Sequence, residues 1–139
     1  MRGYGADSYG EAFADVYDDW YANVTDVDAT VALVARLAAD AGRVLELGVG
    51  TGRLAVPMAR AGLTVTGVYS SAAMLELLTA ADPDAAVTAI RGDMVDDLPA
   101  GPFDVVLAAY NTLFNLVDDG AQQRGVAAVA ERLAPAGSF

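Results

Sequence analysis

The stretch LELGVGTGRL, residues 45–54, decides the fold of this chain. In it Gly48, Gly50 and Gly52 alternate between a short apolar segment and the start of a helical pattern. Such a loop can turn sharply and let its backbone approach a ligand closely, because it lacks side chains. Placed first in an alternating series of strands and helices, it marks the carboxyl edge of an open sheet, where ligands bind. A dinucleotide fingerprint needs glycine where this chain has Arg53, so NAD and FAD are disfavoured.

Strand and helix patterns alternate on both sides of this loop. A helix capped by the hydroxyl of Thr25 is predicted before the first strand, and a helix capped by Ser71 after the second. The order predicts an α/β fold, a Rossmann-like doubly wound parallel sheet with helices on both faces. About four strands are expected, in RVLEL (43–47), LTVTGV (63–68), AVTAIRGD (86–93) and FDVVLAAY (103–110).

Length and composition limit the organisation and the function. At 139 residues there is room for one domain, 1–139, with helices over 1–40 and a β/α core over 43–139. The net charge of −11 makes nucleic acid an improbable partner. No run is long and apolar enough for a membrane helix, and no signal peptide is recognisable, so the expected location is the cytoplasm.

Two residue types that often carry chemistry are missing. The chain contains no cysteine and no histidine. Neither a disulfide framework nor a thiolate metal site is possible, and the usual zinc ligands are missing. The usual general base at neutral pH is missing as well. No metal site is therefore predicted.

Aromatic residues form a stripe near the N-terminus, at spacings of three or four that place them on one face of a helix or of two short helices. A stripe of this kind is often plain core packing. Its members are Tyr9, Phe13, Tyr17, Trp20 and Tyr21.

Three segments, in order and at sensible spacing, carry a family resemblance. They are VLELGVGTGRLAVPMARAGLTVTGVYSSAAMLELL (44–78), RGDM (91–94) and FDVVLAAYNTLFNL (103–116). Over about residues 9–139 the chain resembles the front half of a class I S-adenosylmethionine-dependent methyltransferase. The resemblance implies S-adenosylmethionine as cofactor and a small molecule as methyl acceptor.

The resemblance also implies roles for single residues. Glu46 and the glycine loop would border the methionine half of the cofactor, and Arg53 could face its carboxylate or be a surface helix residue. Asp93 would accept from the adenine amino group, with Met94 packing on the ring, although Asp93 could also be a turn residue. The other implied contacts are Ala109 and Tyr110 beneath the sulfonium, and Tyr9, Tyr17 and Trp20 in a lid helix.

Tyr69 departs from the family pattern. At this position the family ordinarily has Asp or Glu, whose two oxygens accept from both ribose hydroxyls. Tyrosine offers one neutral hydroxyl and more bulk. Because hydrogen bonds to charged groups are stronger than neutral ones, the exchange should weaken cofactor binding roughly 5- to 30-fold. Complete loss would require the ring to occupy the ribose site.

The C-terminal end, ERLAPAGSF (131–139), is the second departure. The family's sheet has seven strands, so the domain is expected to be truncated before or at strand five. Strand four would then be an exposed edge, open to pairing with another chain. We expect a homodimer through this edge, a domain swap or a missing C-terminal half.

The sequence leaves three hypotheses about the function of the chain. The first is methyl transfer to a small-molecule acceptor, for which no base is assigned, although Tyr110, Glu46, Asp18 or Asp19 could serve. The second is a non-catalytic protein of the same fold, with weak or no cofactor binding, that acts as a binding or oligomer-forming module. The third, a NAD-dependent oxidoreductase, lacks both the glycine spacing and the acid after strand two.

Overall fold

The computed structural model describes residues 26–40 and 42–139. Within these ranges there are four α-helices, five strands and one 3₁₀ helix. The helices are α1 (Val27–Ala38), α2 (Ala55–Arg60), α3 (Ala72–Ala81) and α4 (Ala121–Ala130), the strands are β1 (Arg43–Leu47), β2 (Thr64–Tyr69), β3 (Val87–Arg91), β4 (Phe103–Ala108) and β5 (Leu133–Ser138), and the 3₁₀ helix is Thr112–Asn115. The aromatic stripe and its lid residues Tyr9, Tyr17 and Trp20 lie outside the described residues, so the lid remains a prediction.

The five strands form one parallel sheet in the order β3-β2-β1-β4-β5. The chain runs outward from β1 to β3 and then crosses to the other side of β1 to form β4. The strand order thus reverses between β1 and β4, and ligands of open α/β sheets bind at this switch point. The predicted Rossmann-like parallel sheet is confirmed.

The middle of the sheet is buried on both faces. In β1, Val44 and Leu45 are fully buried, as a central parallel strand requires. Val44 belongs to a core cluster with residues of α1, α2 and α3, such as Val34 and Met58. Leu45 faces the other way, into a cluster that includes Val129 of α4. Helices therefore cover both faces.

Two of the helices begin directly after a short polar residue whose side chain caps the first turn. The Ser71 hydroxyl accepts a hydrogen bond from the Met74 amide at 3.3 Å, as predicted for α3. The cap of α1 is Asp26 rather than the predicted Thr25; its Oδ1 accepts from the Ala29 amide at 2.9 Å. Pro57 lies in the first turn of the six-residue α2, where its missing N–H is tolerated because that group would have no partner within the helix.

The C-terminal segment corrects the predicted strand count. The last helix ends at Ala130, and Leu133–Ser138 pairs with β4 as a fifth strand. Pro135 and Gly137 hid this strand in the sequence, because both residue types are unusual in strands. Proline is tolerated at a sheet edge and glycine at an irregularity, and the register between β4 and β5 shifts in this segment. Because β5 covers β4, the homodimer predicted from an unpaired β4 edge loses its premise.

No helix within the described ranges is both long and apolar enough to cross a membrane.

A close contact joins the glycine loop to β2 of the sheet. A Cβ placed on Gly67 of β2 would lie 2.5 Å from Cγ2 of Val49, a buried residue of the loop. The loop can therefore lie flat on β2 only because position 67 has no side chain.

We expect Gly67→Ala to destabilise the protein by about 1–3 kcal/mol, since the new methyl group would overpack a stiff β-branched neighbour. Urea unfolding measures this. In a Val49→Gly background all three side-chain atoms that a Cβ on Gly67 would meet are gone, so the added cost of Gly67→Ala should fall below about 1 kcal/mol. An equal cost in both backgrounds would contradict the contact as its cause.

Candidate functional site

A cavity of about 240 Å³ opens at the carboxyl ends of β1, β2 and β4, at the switch point of the sheet. The glycine loop forms one wall, and the turn after β4 forms the other. Among the described residues it is lined by Glu46, Gly48, Val49, Thr51, Arg53, Leu54, Tyr69, Ala109, Tyr110, Asn111, Thr112 and Asn115.

The three loop glycines all have left-handed backbones, with φ of 70° at Gly48, 56° at Gly50 and 84° at Gly52. Other residues rarely adopt this conformation. The loop is tied to the sheet by two hydrogen bonds: the amides of Gly48 and Val49 both donate to the carbonyl oxygen of Val68, at 2.9 and 3.2 Å. The chain thus folds back over the end of β2.

Gly48 also lets the turn after β4 approach the loop. A Cβ at this position would lie 2.7 Å from Cγ2 of Thr112, the first residue of the 3₁₀ helix. Thr112 is fixed by its own backbone neighbour, since its Oγ1 donates to the carbonyl oxygen of Ala109 at 2.7 Å. The two walls of the cavity therefore meet at Gly48.

Glu46 supplies the buried carboxyl group of the site. Its side chain lines the cavity but is only 4% exposed, and Oε2 has no hydrogen-bond partner among the described residues. Burial raises the pKa of Glu46 from 4.5 to about 8, and the nearby Arg53 guanidinium lowers it by less. The Glu46 carboxyl group therefore stays protonated to a higher pH than an exposed glutamate does.

Arg53 lies in the turn before α2 and lines the same cavity, so it is not a surface helix residue. Its guanidinium carbon is 4.5 Å from the centroid of the Tyr110 ring, within cation–π distance. Tyr110 has a φ of 57°, an uncommon value for a bulky residue, and follows Ala109 at the end of β4. Arg53 thus bridges the two walls, near Glu46 on one side and Tyr110 on the other.

A second, much smaller cavity of about 10 Å³ continues the site toward β3. It has room for about one water molecule. Tyr69, half-buried at the end of β2, lines both cavities, and so do Gly48 and Asn115. These three residues therefore lie where the two cavities adjoin.

Asp93 and Met94 line the small cavity. Asp93 is also a turn residue, because its Oδ1 accepts from the amides of Val95 and Asp96 at 2.7 and 3.1 Å. Oδ2 accepts no hydrogen bond from the described part of the chain. One oxygen thus fixes the turn while the other is left for a further donor.

The structure brings most of the predicted site residues together. Glu46, Gly48, Arg53, Tyr69, Ala109 and Tyr110 line the large cavity, and Asp93 and Met94 line the small one. Gly50 and Gly52 line neither; a Cβ on Gly52 would lie 3.0 Å from Leu78 of α3, so this glycine serves packing. Tyr17 and Trp20 fall outside the described residues.

Four polar lining residues were not singled out from the sequence: Thr51, Asn111, Thr112 and Asn115. The last three lie in NTLFN (111–115), directly after the end of β4. That position was the available signal, because the segment that leaves a strand beside the switch point turns over the ligand edge. Its helical periodicity could not be read from five residues.

Comparison with known proteins gives a family match. Residues 44–137 match a family model described as a methyltransferase domain. The match includes all of the described residues that line the two cavities.

Three relatives are informative. The cypemycin N-terminal methyltransferase of a Streptomyces species is 33% identical over 71% of this chain and 40% of its own length. The CcbJ methyltransferase from Streptomyces caelestis superimposes with a TM-score of 0.87 and 39% identity, covering 96% of this chain and 56% of that one. The glycopeptide N-methyltransferase MtfA, complexed with S-adenosyl-L-methionine, gives 0.68 and 26%, covering 80% and 51%. This chain thus spans 40% to 56% of their lengths.

The raised pKa of Glu46 predicts a pH dependence of stability. Between pH 4.5, the ordinary value, and about 8, the folded state binds more protons than the unfolded state, so the stability contributed by the neutral carboxyl is present below this range and lost as the pH rises through it. Glu46→Gln should therefore flatten the slope by up to about 1.4 kcal/mol per pH unit, as measured by urea unfolding from pH 5 to 8.5.

The matched control is Glu76→Gln, which removes a carboxyl group from the exposed face of α3. It should leave the slope as it is in the unaltered chain. If both variants flatten the slope equally, the effect comes from overall charge and not from the buried carboxyl group.

Proposed function

The chain belongs to the methyltransferase domain family, the class I S-adenosylmethionine-dependent methyltransferases, and we propose that it binds S-adenosylmethionine across the two cavities for methyl transfer to a small-molecule or peptide acceptor. One observation carries this proposal: Glu46, the loop glycine Gly48, Tyr69 and Asp93 converge on two adjoining cavities at the switch point of the sheet. The methionine half would take the large cavity and the adenosine half the small one.

The large cavity suits an amino acid group. The Oε2 atom of Glu46, buried and without a partner among the described residues, fits an ammonium group that would supply both a donor and a positive charge. Arg53, beside the same cavity, fits the carboxylate. A nearby cation would also favour the ionised form of Glu46, so binding of an ammonium group would offset the effect of burial.

The small cavity is lined by groups that suit adenine, but its enclosed space is smaller than adenine. Oδ2 of Asp93 offers an acceptor at its edge and Met94 an apolar side chain, while the space amounts to about 10 Å³. A flat purine would therefore extend beyond the enclosed space of the small cavity. Tyr69 is the bulkiest of the side chains that line both cavities, and its ring packs in part against the core.

An amine is the acceptor class we propose. The bound cofactor supplies an electrophilic methyl group on a sulfonium, and this chain's residues would hold the two reactants in line. An amine that has lost its ammonium proton to solvent would form the C–N bond with its lone pair while the C–S bond breaks, with S-adenosylhomocysteine as the leaving group and the remaining extra proton passing to water. No strong base is then required, which suits a sequence without histidine. Two of the relatives support this class by name, as a peptide N-terminal and a glycopeptide N-methyltransferase.

Calorimetry with S-adenosylmethionine and S-adenosylhomocysteine tests the proposal. We expect both to bind, and Tyr69→Asp to tighten binding about tenfold, because aspartate would accept from the ribose hydroxyls and vacate the space of the ring. Tyr69→Phe is the control: it keeps the ring and removes only the hydroxyl, so it should not tighten binding.

Absence of heat at millimolar ligand with the unaltered chain would contradict the proposed binding and leave a non-catalytic protein of this fold as the better description. Binding that Tyr69→Asp leaves unchanged would instead show that position 69 does not limit affinity.

A further inference from the structure

Resting on the proposed cofactor, we propose that Asn115 is the residue that holds the ribose hydroxyls, in place of the acid that Tyr69 replaces. Gly48, Tyr69 and Asn115 line both cavities. A ribose would lie there, between the amino acid group and the adenine. Gly48 has no side chain, which leaves Tyr69 and Asn115 to meet it.

The direction of the Asn115 side chain follows from its helix. In a 3₁₀ helix the side chains of residues three apart eclipse one another. Thr112 and Asn115 are the first and last residues of this 3₁₀ helix, and Thr112 lies against Gly48. Asn115 therefore faces the glycine loop one turn further on, which agrees with its place in both cavities.

The backbone around Asn115 is firmly held. The Leu116 amide donates to the carbonyl oxygen of Leu113 at 3.2 Å. Nε2 of Gln122, in α4, donates to the carbonyl oxygens of Leu113 and Leu116 at 3.3 and 3.5 Å. Leu116 is itself buried and lies against Gly125 of α4, whose absent side chain makes room for it. The backbone around Asn115 is thus held in place, so little ordering of the backbone is left for binding.

The chemistry of the Asn115 side chain suits two adjacent hydroxyls. An amide presents one acceptor oxygen and one NH₂ donor, so it can accept from one hydroxyl and donate to the other. No described residue makes a hydrogen bond to this amide, and the side chain is half-buried. A half-buried amide with unused bonding capacity beside a cavity gains most from a ligand that satisfies both of its ends.

The other polar groups nearby are less suitable. Thr112 lines only the large cavity, and its hydroxyl already donates to Ala109. Ser70 lines only the small one. Tyr69 has a single hydroxyl and cannot bond both ribose oxygens in the way that a carboxylate or an amide does.

A ligand and variant cycle tests this inference by calorimetry. The ligands are S-adenosylhomocysteine and its 2′,3′-dideoxy analogue, and the variant is Asn115→Leu, which keeps the size of the side chain and removes its hydrogen bonds. We expect Asn115→Leu to weaken binding of S-adenosylhomocysteine about 5- to 30-fold and to change binding of the dideoxy analogue less than about 2-fold. Asn115→Asp, which keeps the acceptor, should bind S-adenosylhomocysteine at least as tightly as the unaltered chain.

The control variant is Gln123→Leu, the same kind of change on the exposed surface of α4, which should bind both ligands as the unaltered chain does. An equal loss for both ligands, or no loss for either, would overturn the role of Asn115 while leaving the proposed function in place. No binding of S-adenosylhomocysteine by the unaltered chain would overturn both. Thermal unfolding of each variant separates a folding defect from a binding effect.

Discussion

The double hydrogen bond that the carbonyl oxygen of Val68 accepts from the amides of Gly48 and Val49 is the constraint on which the site depends. It folds the chain back over the end of β2 directly after β1, at the cost of a left-handed backbone that glycine tolerates. Val49 can then pack on the bare backbone of Gly67, and Thr112 can approach Gly48 from the other side. Without this fold-back, the loop and the turn after β4 would not enclose a cavity.

The same enclosure governs the electrostatics. Glu46 is the residue before the end of β1, so covering the strand with the loop also takes its carboxyl group out of water. The cost of burying a charge then falls on the side chain, which is why its pKa rises even with Arg53 nearby. The Arg53 guanidinium lies over the face of the Tyr110 ring, so its charge interacts both with the Glu46 carboxyl group and with the aromatic ring. Tight packing and an unusual protonation state thus have one origin.

Much of the fold could be predicted from the sequence, because the apolar runs and the glycine loop of an alternating parallel sheet are local signals. The convergence of Glu46, Tyr69 and Asp93 on one edge followed from that topology, since each lies at or near the carboxyl end of a strand. What failed had non-local causes. The strand around Pro135 forms only because β4 offers it an edge, and Asn115 faces the site because of a single 3₁₀ turn too short to leave a periodic pattern. The pKa of Glu46 depends on burial by segments distant in sequence.

The backbone of Tyr110 shows how such a site trades stability for function. Its φ of 57° lies in the region that glycine occupies freely and a bulky residue does not, so the native conformation there is held by its surroundings. Glycine at this position would relax the backbone, and it would remove the ring over which Arg53 lies. A search for stabilising substitutions that scored only the backbone would select that change and so dismantle one wall of the cavity. At position 110 stability of the backbone thus favours glycine, whereas the wall of the cavity needs the tyrosine ring.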